Sequence, residues 1–156
     1  MEQMEQSDLA QPQERVLVCI TIQENSKRLI EKGADIARRN DGELHILHVE
    51  QGKSIFEHAE AVELLEALFE YAKSRGGQVH FESGEDVPKT IMESIQKLEV
   101  TQLVLGQTGK GFLHTMLGKS IARSIASESQ GLEVVVLEKA GKSRQETKRL
   151  VEGVAK

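Results

Sequence analysis

The 156-residue chain contains no tryptophan, one tyrosine and four phenylalanines. So few aromatic rings exclude the stacking platforms on which single-stranded nucleic acids are held, and no nucleic-acid partner is expected. The single cysteine, Cys19, rules out an internal disulfide framework. It lies inside the apolar run Val16-Leu17-Val18-Cys19-Ile20, where a buried, reduced thiol and a cytoplasmic setting are expected. No apolar run approaches the roughly 20 residues of a membrane span. The start Met1-Glu2-Gln3-Met4-Glu5 is acidic and polar, unlike a secretory signal. Catalytic groupings are also lacking. No Ser-His-Asp or Cys-His arrangement is suggested, and Glu85-Asp86 is explained as a helix start. His45 and His48 are an odd number of residues apart on one strand, so they point to opposite faces and cannot chelate together. Neither a catalytic nor a metal site is expected.

What the chain does contain is ordinary for a globular domain: 38% hydrophobic and 29% charged residues, with a net charge of -5. Its length suits one domain with one core. Residues 1 to 13, rich in Gln and Glu, read as a disordered lead-in. Val16 to Ile20 is apolar throughout, as in a strand buried on both faces. Asn25 or Ser26 is placed to cap a helix in which Leu29, Ile30, Gly33, Ile36 and Ala37 recur at helical spacing. Asn40-Asp41-Gly42 is a turn before a strand from Glu43 to Val49. Ala61, Val62, Leu65, Leu68, Phe69 and Ala72 form a helical stripe ending near Gly76-Gly77. A short strand from Gln78 to Phe81 precedes a helix begun by Gly84-Glu85-Asp86 and Pro88, with Val87, Ile91, Ile95 and Leu98 inward. Strands from Gln102 to Leu105 and from Leu132 to Leu137 enclose a last helix near Gly118 to Ser127. This alternation predicts α/β architecture, an open doubly wound parallel sheet of five strands. The domain is placed at 14 to 138, followed by a basic tail from 139 to 156 with six Lys or Arg against two Glu, expected to be solvated.

The most informative stretch follows the fourth strand. Leu103-Val104-Leu105 runs into Gly106-Gln107-Thr108-Gly109-Lys110-Gly111 and on to Gly118-Lys119-Ser120. From Thr101 to Ser127 there is no Asp or Glu, while Lys110, Lys119 and Arg123 are present. Glycines allow backbone N–H groups to approach a ligand, and a following helix offers its positive end. The stretch therefore reads as a phosphate cradle. It is not a Walker loop, because Leu113 stands where that motif needs glycine.

The spacing Gly106-x2-Gly109-x8-Gly118-Lys119-Ser120 resembles the Gly-x2-Gly-x9-Gly-Ser/Thr loop of universal stress proteins, with one residue fewer and Lys119 before the serine. Asn25-Ser26, Arg28-Leu29-Ile30 and Gly33-Ala34 are most similar to the stress-protein-like domain of potassium-sensing histidine kinases. The resemblance implies a Rossmann-like sheet in the order 3-2-1-4-5, with a crevice between the ends of strands one and four. It implies Gly106, Gly109, Gly118 and Ser120 for phosphates and Val49 for the base of ATP or another adenine nucleotide, with Mg2+ arriving only through the nucleotide. Thr21 stands where the family's nucleotide binders carry Asp. Thr21, Lys110 and Lys119 join the candidate site on chemical grounds. Three functions follow: a non-enzymatic adenine-nucleotide-binding regulator in stress response or signalling, a cyclic dinucleotide sensor, and a ligand-free dimerisation module. A homodimer through Leu132 to Leu137 is expected, since the implied order makes this strand, with no charge or proline in its middle, an edge.

Overall fold

The computed structural model describes residues 13–52, 57–106 and 132–137, together with the backbone of 147–149. Its elements are β1 (Arg15–Cys19), α1 (Ser26–Arg39), β2 (Glu43–Glu50), α2 (Ala59–Ser74), β3 (Gln78–Ser83), α3 (Val87–Leu98), β4 (Gln102–Gly106), β5 (Glu133–Leu137) and β6 (Thr147–Arg149). They form one sheet in the order β3-β2-β1-β4-β5-β6. The first five strands are parallel, in the expected order.

Alternation along the strands divides the core in two. Val16, Val18, Leu44, Ile46, Val104 and Val135 face α1 and α2, meeting Leu29, Ile30, Leu65 and Leu68. Leu17, Leu47, Leu103, Leu105, Val134 and Val136 face the other way, toward Val87, Ile91 and Ile95 of α3. Two crossovers move outward one way from β1 and the third returns past it, so a constant right-handed sense puts α3 on the opposite face. Gly33 marks a close approach of α1 to the sheet. A Cβ there would collide with Val18 Cγ2 and lie 3.2 Å from Leu44 Cδ1.

The helix boundaries have local causes. Asp86 caps α3 by accepting from Lys89 N–H at 3.2 Å, with Pro88 in the first turn. At α1 the expected capping does not occur. Asn25 has helical backbone angles and makes no side-chain cap bond. Buried Ser26 instead turns its hydroxyl back, donating to the Thr21 carbonyl at 2.6 Å and accepting from Thr21 N–H at 3.3 Å. A serine hydroxyl carries both a donor and acceptors, so it staples the β1–α1 turn.

The strand from Leu132 to Leu137 is not the free edge that was expected. β6 runs antiparallel along its outer side, pairing Leu137 with Thr147 and Val135 with Arg149. A flat strand lacking charge or proline at its centre leaves a row of backbone donors and acceptors open, and the chain's own tail takes them up. The tail is thus not wholly solvated. No described helix is long and apolar enough to cross a membrane.

Candidate functional site

The ladder between β1 and β4 stops early. It joins Val16, Leu17 and Val18 to Gln102, Leu103 and Val104. Beyond Val18, β1 stays with β2 through Ile20 N–H to the Leu47 carbonyl at 2.9 Å, while β4 stays with β5 as far as Gly106 and Leu137. The two strands therefore part, each held by its other neighbour, and a crevice opens at their carboxyl ends. Such a switch point is where ligands of open α/β sheets bind.

A cavity of about 220 Å³ fills this crevice. Cys19 and Thr21, then Leu47, Val49 and Gln51, reach it by alternation along β1 and β2 and just beyond. Leu105 and the Gly106 backbone come from β4, and Val87 and Ile91 of α3 close the far side. None of these lining residues carries a charged side chain. Cys19 is the one titratable group, and burial pushes its thiol up to about 12, so it stands as a neutral wall rather than a nucleophile. The lining is apolar with a hydroxyl and an amide at its rim. It suits a flat, uncharged ring.

Three expected site residues, Thr21, Val49 and Gly106, are brought together here. Gly109, Lys110, Gly118, Lys119 and Ser120 lie outside the described residues. Gly106 has a packing reason of its own, since a Cβ there would stand 2.9 Å from Leu29 Cδ1, on the α1 side and away from the cavity. Cys19 and Gln51 were missed. Cys19 was read as strand core; it does pack against the core on the α3 face, and it lines the cavity as well. Gln51 is two residues past Val49 and shares its face, a periodicity visible in the sequence had the strand been followed further.

Beneath the cavity, on the opposite face of β2, His48 is buried between two acceptors. Its Nδ1 lies 3.3 Å from the Ile20 carbonyl and its Nε2 lies 3.0 Å from Glu50 Oε1. These two contacts tie the end of β1 to the end of β2. His45, on the α3 face as its spacing requires, lies within 3.0 Å of both His80 Nε2 and Glu43 Oε1. Glu43 is held below the usual carboxylate range, first by its hydrogen bond with His45. His80 is held below the ordinary histidine value of 6.5 by burial and then by the neighbouring His45. Among the described residues no cluster of His, Cys, Asp or Glu is arranged to hold a metal ion.

The shift at His80 has a stated sign. Below pH 6.5 the unfolded chain takes up a proton that folded His80 resists. Its contribution is therefore fully present above that pH and is lost as pH falls. Stability measured by urea titration is expected to drop between pH 7 and pH 5, with a shallower slope in His80→Gln. An unchanged slope would show that His80 is not the group responsible.

The sequence profile described as the Universal stress protein family matches residues 13–137, which spans the whole parallel sheet. The chain belongs to the universal stress protein family. Among curated relatives it is 28% identical over 131 residues to the sensor protein KdpD of Mycobacterium tuberculosis (strain CDC 1551 / Oshkosh), covering 84% of this chain and 15% of that protein. The chain thus spans about 15% of the length of this relative. Solved universal stress proteins share the fold. One in complex with cAMP superposes with a TM-score of 0.57 at 18% identity, covering 79% of this chain and 94% of that one. One from Archaeoglobus fulgidus in complex with dAMP gives 0.54 at 16% identity, covering 81% and 97%. Thr21, two residues beyond β1, brings an uncharged hydroxyl side chain to the cavity lining.

Proposed function

We propose that this universal stress protein domain is a non-enzymatic regulator that binds an adenine nucleotide, ATP foremost, at the parting of β1 and β4. The observation that carries this reading is the uncharged cavity at that switch point, apolar enough for a base and free of carboxylates that would repel phosphates. In this reading the ring lies against Val49 and Leu105. The phosphates run past Gly106 toward Gly109, Lys110, Gly118, Lys119 and Ser120, and Mg2+ comes only with the nucleotide. Two proteins of this fold are described with cAMP and dAMP bound, which share an adenine ring and support the choice of base. Similarity to the KdpD sensor supports a signalling role; a cyclic dinucleotide, implied by the resemblance to kinase-associated domains, is the second reading.

A melting experiment with ATP, ADP, cAMP and cyclic di-AMP tests this. A ligand at about 100 times its Kd stabilises the fold by about 2.7 kcal/mol. For a chain of this size the midpoint should rise on the order of 5–10 °C. If none of the four moves it, the ligand-free dimerisation module becomes the better account. The same samples, sedimented at low micromolar concentration, report self-association. A homodimer through β5 requires β6 to leave that edge, so a mass of one chain would favour β6 as its permanent cover.

A further inference from the structure

The sheet ends differently on its two sides. β6 runs along the outer side of β5, whereas among the described residues no strand lies beyond β3. The direction of each backbone group of β3 follows from its parallel ladder with β2. Gly84 N–H donates to the Glu50 carbonyl at 3.0 Å. By the two-residue alternation of a strand, Glu82, His80 and Gln78 therefore also turn their backbone groups toward β2. Val79, Phe81 and Ser83 turn theirs outward.

A strand that adds antiparallel to such an edge makes its hydrogen-bonded pairs between the outward residues of both strands. When the added strand is a second copy of β3, odd-numbered residues must then oppose odd-numbered ones, and the two-fold axis has to pass through a residue position. An axis at His80 sets imidazole against imidazole, and one at Glu82 sets carboxylate against carboxylate. An axis at Phe81 opposes His80 to Glu82 of the second copy twice over. These fall at non-hydrogen-bonded positions, where opposed side chains come closest. It also brings two Phe81 rings together on the α2 face, where Phe81 is 38% exposed and already leans on His48 with ring centroids 5.6 Å apart.

We propose that the outer edge of β3 is a self-association site, at which two copies pair antiparallel about Phe81 with each His80 opposite Glu82 of the other. Charge gives the contact a pH dependence. Within one chain, burial, His45 of β2 and Lys97 of α3 resist a proton on His80, and Glu82 alone favours it. A second carboxylate opposite His80 makes that proton easier to hold, so association strengthens as pH falls through the range in which His80 titrates. A single strand pair is a small interface, and a dissociation constant on the order of 100 μM is expected.

Sedimentation equilibrium from about 10 μM to about 1 mM, at pH 7.5 and at pH 6, tests this. The mass should approach two chains at the top of the range, and association should be a few-fold tighter at pH 6. Ser83→Pro removes an outward N–H and leaves the ladder with β2 intact, a place where edge strands accept proline. It should weaken association at least about tenfold. Glu82→Lys sets a cation opposite His80, which should weaken association on the order of tenfold and reverse the pH dependence. Melting curves show whether each variant is folded, and either variant alone suffices. A mass of one chain at the highest concentration overturns the proposal. Association that survives both variants runs through another surface, β5 included, and overturns it too. Association that Ser83→Pro abolishes but pH leaves unchanged would place His80 away from Glu82 and overturn the axis at Phe81.

Discussion

Truncating Ile46 to alanine is expected to lower the free energy of unfolding by about 3–5 kcal/mol, the upper part of the range for such core deletions. Ile46 is fully buried at the centre of β2, in register with Val18 on one side and Val79 on the other. Both neighbouring strands hold its backbone in place, so the sheet cannot close over the space left behind. Its Cδ1 also fills the spot beside Gly77, where a Cβ would lie only 2.6 Å away. The atoms removed therefore leave a void and lose contacts on several sides. A fall in melting temperature on the order of 10 °C follows for a domain of this size. Urea titration should show a lower midpoint with an unchanged slope. Phe81→Ala is the contrast. Phe81 is 38% exposed on the edge strand β3, and its loss should cost about 1 kcal/mol or less. Comparable losses in the two variants would contradict the burial that orders this core.

On the nucleotide reading proposed above, Cys19→Phe should lower nucleotide affinity by about a hundredfold or more, about 2.7 kcal/mol, while leaving the chain folded. The side chain at 19 lies on the α3 face, where it borders the cavity of about 220 Å³ as well as the core. An aromatic ring placed there enters space a ligand ring would occupy, and two rings cannot share it. The same substitution into a filled core would instead force neighbours off their rotamers, at a cost of about 1–3 kcal/mol. Calorimetry and melting together separate the cases. A folded variant that binds nucleotide as well as the parent would place the ligand elsewhere. A variant destabilised as strongly as an overpacked core would show that the cavity does not exist in solution. The neutral thiol it replaces contributes no charge, so the effect reports on volume alone.

How much of this was legible from the residues depends on the range of the interaction involved. The strands β1 to β5 and the helices α1 to α3 could be read from local pattern: an unbroken apolar run along Val16 to Ile20, and a period of about 3.6 along Leu29, Ile30, Gly33 and Ala37; the helix expected near Gly118 to Ser127 lies outside the described residues. Strand alternation correctly sent His45 and His48 to opposite faces. Asp86 with Pro88 announced the start of α3, since a cap is satisfied within four residues. Family resemblance supplied the strand order, which no local period contains.

Other features depend on partners distant in the chain. Ser26 gave up its expected place as a cap because the Thr21 carbonyl, fixed by β1, lies within reach of its hydroxyl. Gln51 became part of the cavity mouth only because the β3–α3 loop brings the Glu85 carbonyl to it, 34 residues along. Cys19 read as core from its apolar neighbours, but the early parting of β1 from β4 leaves its side chain beside a cavity.

By itself the sequence determined the α/β alternation, the two faces of each strand and the family, because these reside in side-chain period and in motif spacing along one segment. Family resemblance placed the crevice between β1 and β4, and tertiary structure alone decided how early that ladder ends and what covers the sheet's edge. A crevice exists only where two strands are each held by a different neighbour, and an edge is closed only when a remote segment meets its open hydrogen-bonding groups. Both are properties of pairs of segments, and no single stretch encodes them.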